Sequence, residues 1–419
     1  MSNDRLSIVY VAEFVTGGSV ESLHSLITGL DKSRYKPTVL FYREPADDIR
    51  QRFEDASATV LVLFPGASSS GLSAAPRRYN LQTRVRKLFG RHIDRFYASL
   101  KYLYSFLRHK RAAYRELRRR ISEISPDLVH LNNGLATDIP GILAAARCGL
   151  PVVCHVRAFS YHNPVQIWAS RFVSRFLCVS GAIREHIIAA GVDSERTVVC
   201  YDSVNQERFA RTAIDRDALL LEYGWDDSAK VFGIIGRLDL WKGHTYFIEA
   251  IDIARKIDPA IRGLIVGDTT PSERTRPYVE NLFNLVRKND LGDSILFAGH
   301  RTNIPEIIES LDAVICASSS PEPFGLMVVE SMAMRTPVIA TNAGGPAEMI
   351  SDGEDGLLVP VKDSKAMADA MLRIAADRDF AQGLGAAGEN TVNGRFTVAH
   401  HVNNVCNAYQ VALADVKPE

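Results

Sequence analysis

Several things are scarce or missing in this chain of 419 residues, and each shortage closes off a class of protein. Cysteine is sparse: the six, at 148, 154, 178, 200, 316 and 406, form no Cys-x-x-Cys pair and mostly sit in apolar runs. That usage suits small buried hydrophobes in a reducing compartment. No apolar run approaches the ~20 residues that span a bilayer. The first residues, Met-Ser-Asn-Asp-Arg before a short apolar run broken by Glu13, lack the profile of a signal peptide, so a cytoplasmic protein is expected. Net charge is absent as well, with 49 Lys+Arg against 49 Asp+Glu, which gives no reason to expect nucleic acid. The full Gly-x-Gly-x-x-Gly fingerprint is missing. The two Asp-x-Asp pairs, 215–217 and 377–379, lie in helical or linker stretches rather than at strand ends beside glycine, so no metal site is expected.

What is present is a soluble, core-forming composition, 46% hydrophobic and 23% charged, long enough for two or three domains. Short Val/Ile/Leu runs alternate with helical patterns throughout. Strand candidates are 6–12, 37–41, 58–64, 127–131, 151–156 and 176–179, then 231–235, 263–266, 295–298, 312–316, 337–340 and 356–359. Most show little polar alternation, as strands of a parallel sheet covered by helices do. Strand–helix repetition on both sides of a polar stretch at 200–215 predicts an α/β protein of two doubly wound domains, 1–204 and 205–395. A final helix within 396–419 carries Val398, Val402, Val405, Tyr409 and Leu413 at helical spacing. It either packs on its own domain or crosses back to the first.

Residues 77–120 stand apart, with fifteen Lys/Arg against Asp94 and Glu116 and eight aromatics interleaved. Ile93, Phe96/Tyr97, Leu100, Leu103/Tyr104 and Leu107 make an apolar stripe at helical spacing. Such a helix can lie on an anionic membrane surface. A solvated basic helix on an ordinary core face is the plain alternative, and nucleic-acid binding a weaker third.

Four features carry chemistry. Thr16-Gly17-Gly18-Ser19 follows the first strand, where glycine lets a backbone approach a ligand and a helix start faces an anion. Gly236-Arg237-Leu238-Asp239-Leu240-Trp241-Lys242-Gly243 follows the strand opening the second half. There Arg237 and Lys242 sit where an open parallel sheet binds ligands, and their charges suit a diphosphate. As loop cations they are expected to be exposed and to contribute little to folding. Glu322-Pro323-Phe324-Gly325-Leu326 leads into a helix carrying Glu330, and the N–H groups of Gly325 and Leu326 can cradle a phosphate. Asn342-Ala343-Gly344-Gly345-Pro346-Ala347-Glu348, taken alone, reads as punctuation between strand and helix. His130 and His155 end strands; each reads equally well as a group near a second substrate or as a buried core histidine.

Together these motifs resemble the family-4 retaining glycosyltransferases. Asp127-Leu-Val-His-Leu, Cys178-Val-Ser-Gly-Ala, Asp202-Ser-Val-Asn…Phe209 and Asp352-Gly…Gly356-Leu-Leu-Val extend the resemblance along the chain. It is close over the second half, in outline over the first, and nearly absent over 66–125. The resemblance implies a GT-B fold, two Rossmann-like domains facing a cleft, and transfer of a sugar with retention from a nucleotide-diphosphate sugar, UDP favoured over GDP. It implies that Arg237 and Lys242 hold the diphosphate, Glu330 the ribose, Glu322 the donor sugar, and that the Gly17-Gly18 loop closes on the phosphates. Phe324, Gly325 and Leu326 belong to the same nucleotide-sugar site, with Arg237, Lys242, Glu322 and His155 as catalytic candidates. His130, Asn132 and His155 are placed on the acceptor side. Asn132 departs from the pattern, standing where a second histidine is frequent. The two cations take the place of a metal, no cofactor is needed, and the acceptor is read as a lipid-linked or cell-envelope polysaccharide or glycolipid, with the protein peripheral on the inner face of the membrane. A nucleotide-sugar epimerase of the same architecture and a non-catalytic nucleotide-sugar-binding protein are the rival readings.

Overall fold

A computed structural model describes residues 5–66, 99, 101–270, 272, 273 and 275–415. Two compact units emerge from its contacts: Met1–Tyr201 together with His401–Glu419, and Asp202–His400. The first division thus falls at 201/202 rather than 204/205, and the last helix is shared, its residues from 401 onward belonging to the first unit.

The first unit holds a parallel sheet of seven strands among the described residues: β1 (Leu6–Ala12), β2 (Tyr35–Phe41), β3 (Thr59–Val62), β4 (Leu128–Leu131), β5 (Val152–Val156), β6 (Arg175–Cys178) and β7 (Thr197–Val199). Their order is β3-β2-β1-β4-β5-β6-β7, so the winding reverses between β1 and β4. The second unit holds six: β8 (Lys230–Ile235), β9 (Ile261–Val266), β10 (Ile295–Gly299), β11 (Ala313–Cys316), β12 (Val338–Thr341) and β13 (Leu357–Val359). Their order is β10-β9-β8-β11-β12-β13, reversing between β8 and β11. At such a reversal the flanking connections leave in opposite directions and open a crevice beyond the strands' carboxyl ends.

An aspartate fixes the register at each reversal. Asp127, just before β4, accepts the Ser7 N–H of β1 at 2.7 Å. Asp312, just before β11, accepts the Val231 N–H of β8 at 2.6 Å and also holds Arg216 at 2.9 Å. The strands are buried on both faces, Ile8 to Val11 and Val231 to Phe232 completely, as their continuous apolar runs require. β7, three residues long, was not foreseen; so short a strand carries no period.

The helix Val398–Ala414 seats Val405, Tyr409 and Ala412 in the core of the first unit. Tyr409 bonds His130 at 2.6 Å and donates to the Tyr10 hydroxyl at 3.1 Å, and Asp415 pairs with Arg175 at 2.8 Å. Of the basic segment, 77–98 and 100 lie outside the described residues, and with them Ile93, Phe96, Tyr97 and Leu100. The remainder is helical, with a π-helical stretch Phe106–Lys110 leading into the helix Arg111–Ile124. No helix among the described residues is long and apolar enough to cross a membrane.

Candidate functional site

The loop leaving β8 is shaped by its glycines. Gly243 adopts a left-handed conformation, and a Cβ there would stand 1.8 Å from the Ala317 carbonyl oxygen beyond β11. Only glycine lets this loop pack so closely on the neighbouring strand end. The Ser319 N–H donates to the Trp241 carbonyl at 2.7 Å, which ties the turn Leu240–Lys242 to the same place.

This packing delivers Lys242 to Glu322. The Lys242 Nζ lies 3.0 Å from both carboxylate oxygens, 80 positions away in sequence, and 4.2 Å from the centre of the Trp241 ring. The Ser318 hydroxyl donates to Glu322 Oε2 at 2.6 Å, and the Ser318 carbonyl accepts from the Thr341 hydroxyl at 3.0 Å. The Glu322 side chain is 8% exposed and that of Lys242 25%, so Lys242 is not the free loop cation expected from sequence. Arg237 is as exposed as expected, its side chain 79% exposed, and it pairs loosely with Asp239 at 3.5 Å. Burying a carboxylate without partners is costly, and this one has an ammonium and a hydroxyl.

The Gly344-Gly345 motif turns out to be more than punctuation. A Cβ on Gly344 would lie 2.1 Å from the Glu322 carbonyl oxygen, and one on Gly345 2.1 Å from that of Phe324. The Gly345 N–H donates to the Glu322 carbonyl at 2.8 Å. Three motifs therefore lock together at the carboxyl ends of β8, β11 and β12. Gly325, left-handed, caps the helix Leu326–Ala333, on whose second turn Glu330 sits half-buried; Phe324 is buried against the Phe396 ring. Next to Lys242, burial and the neighbouring ammonium push the His244 imidazole down to about 3, so it stays neutral.

In the first unit, Gly17 begins the helix Gly18–Gly29 with a positive φ of 95° and open space where a Cβ would stand. His130 and His155 are each 0% exposed and Asn132 is buried with them. His155 Nδ1 accepts from Arg157 at 3.1 Å, which places its proton on Nε2. Asn132 accepts from Arg157 Nε at 3.2 Å and donates to the Ser19 carbonyl at 3.0 Å. The two histidine rings stand 5.6 Å apart, and burial followed by the Arg157 charge holds both imidazoles well below their ordinary range. In this conformation they form a buried neutral layer.

The first aspartate of each Asp-x-Asp pair caps a helix. Asp215 caps the helix Arg216–Glu222 through the Ala218 N–H, and Asp377 caps Arg378–Arg395 through the Phe380 N–H. Sequence reading passed over Ser318, Thr341 and the face of Trp241. The run Ser318-Ser319-Ser320 ahead of Glu322 was a signal; nothing local marked Thr341.

Comparison with known proteins gives two family models. "Glycosyltransferase Family 4" matches residues 16–208 and "Glycosyl transferases group 1" matches 215–391. EpsD of Bacillus subtilis, assigned as a glycosyltransferase, is 27% identical over 323 residues, covering 72% of this chain and 81% of its own. The lipopolysaccharide core biosynthesis mannosyltransferase LpsB of Rhizobium meliloti is 29% identical over 224 residues, 53% of this chain and 62% of its own length. Among solved structures, HepE of Anabaena in complex with UDP and glucose superposes with a TM-score of 0.77 at 20% identity, covering 97% of this chain and 100% of that one.

Proposed function

We propose that this chain, which belongs to the family-4 glycosyltransferases of the GT-B fold, transfers a sugar with retention from a nucleotide-diphosphate sugar to a lipid-linked or cell-envelope saccharide. The observation that carries this reading is the Lys242–Glu322–Ser318 group, held at the carboxyl ends of β8 and β11 by glycines that admit no side chain. Negative charge grows on the leaving diphosphate, and Lys242 with the exposed Arg237 neutralises it where it develops. Glu322 accepts hydroxyls of the donor sugar, and Glu330 those of the ribose. UDP is favoured over GDP, in keeping with the ligands of the Anabaena protein. No divalent ion is required, since the two cations stand in for it and Asp215 and Asp377 are engaged in capping.

The acceptor reading draws on LpsB, named for lipopolysaccharide core synthesis, and on the basic segment. Of that segment's described part, Leu103, Tyr104 and Leu107 are exposed, with Arg108 bonded to the Tyr104 hydroxyl, a pattern suited to an anionic lipid surface.

The experiment is a screen of UDP- and GDP-sugars by melting temperature, followed by donor turnover in excess EDTA. A UDP-sugar is expected to raise the melting temperature, and turnover to survive chelation. Absence of any shift, or loss of turnover restored by manganese, overturns the donor or the metal-free reading respectively. Sedimentation with vesicles rich in anionic lipid, set against neutral ones, tests the membrane contact.

A further inference from the structure

The two outer strands of the second sheet are finished differently. At one edge Asp352 closes β13 by accepting the Leu358 N–H at 2.8 Å. The other edge is β10, whose residues from Leu296 to Gly299 are only half-buried. The Gly263 N–H of β9 donates to the Ser294 carbonyl at 2.8 Å. By the alternation of a parallel ladder Leu296 then faces β9, and Phe297 turns its N–H and C=O outward. On either side the edge is tied back. The Ile295 N–H bonds the Leu291 carbonyl at 2.9 Å, and the Ala298 carbonyl accepts from Arg301 at 3.1 Å. Phe297 is left with an outward donor and acceptor that no described residue bonds, on an edge of the kind folded proteins ordinarily close.

The helix Arg276–Lys288 lies over this edge, with Val279, Leu282 and Val286 packed in one core with Ile265 of β9 and Ile295 of β10. Arg276, Glu280, Phe283 and Arg287 recur every three or four positions and are exposed. Their stripe lies about a quarter turn from the buried face and opposite Tyr278 and Leu285, so it looks sideways past β10. Phe283 rests on the Phe297 ring, the centroids 4.4 Å apart, and the two line one shallow groove with Glu280 and Arg287. Glu280 has no ion-pair partner among the described residues, and Arg287 donates to Asn284 of its own helix at 2.6 Å.

We propose that a second copy of this chain docks on this edge, about a two-fold axis beside Phe297. Phe297 then exchanges two backbone bonds with its own copy, as opposed residues of an antiparallel pair do. Strands lie ~4.8 Å apart, so the two helices come side by side, antiparallel, at about 10 Å, an ordinary packing distance. Glu280 and Arg287 stand two turns apart with Phe283 between them. An antiparallel pairing centred on Phe283 therefore sets the acid of each copy against the base of the other, twice. The docking requires nothing of the sugar chemistry.

Sedimentation velocity on the full chain tests this over roughly 1–200 μM. The wild type is expected to be a dimer that dissociates on dilution. Glu280→Arg opposes two bases at each contact, and Arg287→Glu two acids, so each alone is expected to weaken the dimer about tenfold or more. Both side chains are exposed, so neither change threatens the fold. Mixed in equal amounts, the two variants regain opposite charges at both contacts and are expected to form a mixed dimer. A chain carrying both changes reverses each pair and is expected to dimerise as the wild type does. A wild type that stays monomeric throughout leaves the edge to some other partner and overturns the proposal. A dimer that neither charge variant weakens, or that mixing them fails to restore, overturns it as well.

Discussion

The two units treat charge in opposite ways at equivalent places. Beyond β8 and β11 an ion pair is central: Lys242 on Glu322, with Ser318 as a further donor and the neutral His244 beside them. In β4 and β5 and the loop after β4, burial depresses His130 and His155 and raises Asp138, with the Arg157 guanidinium beside the imidazoles. A shared sheet topology therefore houses one site centred on an ion pair and one lined by buried, neutral imidazoles. The first arrangement suits a diphosphate leaving group. The contrast follows from side chains alone, since the register-setting aspartates, Asp127 and Asp312, bond the neighbouring strand alike in both units.

Removing the paired cation is the hardest test of this contrast. Lys242→Ala leaves the Glu322 carboxylate buried against Ser318 alone, and is expected to destabilise the chain by ~1–3 kcal/mol. Turnover should fall by roughly 10²–10³, the scale for losing one preorganised charge stabiliser. Arg237→Ala, at an exposed side chain, should weaken nucleotide binding while shifting stability by no more than ~0.5 kcal/mol. Denaturant melts and UDP calorimetry on both variants check this; equal stability losses would mean the Lys242–Glu322 pair contributes nothing special.

Backbone contacts come next. Gly345→Ala would place a Cβ 2.1 Å from one backbone atom of Phe324 and 2.6 Å from another. The loop carrying Glu322 must then move, at an expected cost of roughly 2–4 kcal/mol. Gly17→Ala meets no atom within 4 Å and carries only its φ of 95°, so roughly 1–3 kcal/mol is expected. Chemical denaturation ranks the two; a larger loss at Gly17 would show that conformation rather than contact dominates.

The buried histidines give the first unit a pH signature. Their folded pKa lies below the unfolded value of ~6.5, so the unfolded chain binds protons first as pH falls. Their contribution is whole above pH ~6.5 and is lost below it, by at most ~1.4 kcal/mol per pH unit for each imidazole. Asp138, raised in the folded state, acts in the opposite sense over the same range. The comparison is therefore wild type against His155→Gln: the variant should lose stability less steeply between pH 6.5 and 5. Parallel slopes would mean His155 already takes a proton in the folded protein.

Much of this was legible in the sequence because it is local. Runs such as Ile8-Val9-Tyr10-Val11 name a two-sided buried strand, and the glycines at 243, 325 and 344–345 mark turns. The break near 200 showed as loss of apolar period. What sequence could not show is contact at a distance. Lys242 meets Glu322 80 positions on, and His130 meets Tyr409 279 positions on, too far for any spacing rule. Asp138 looks like an ordinary helix cap until its side chain is seen bonded elsewhere. Residues 66–125 resisted for a further reason: charge and aromatic content mark a surface without naming its partner.

The smallest expected effect belongs to Trp241, and it asks how finely the paired site is built. Its ring lies beneath the Lys242 ammonium at 4.2 Å, on a turn anchored by the Ser319 N–H. An aromatic face stabilises a partly exposed ammonium by ~0.5–1 kcal/mol. It also holds Lys242 in place when a sugar hydroxyl competes for Glu322. Trp241→Leu keeps apolar bulk and loses the quadrupole, so donor affinity should fall about two- to fivefold, with the melting temperature little changed. Trp241→Phe keeps a weaker face and should recover part of the loss. If Leu and Phe behave alike, the indole is packing only, and Lys242 is positioned by Glu322 and the backbone of the Gly243 turn.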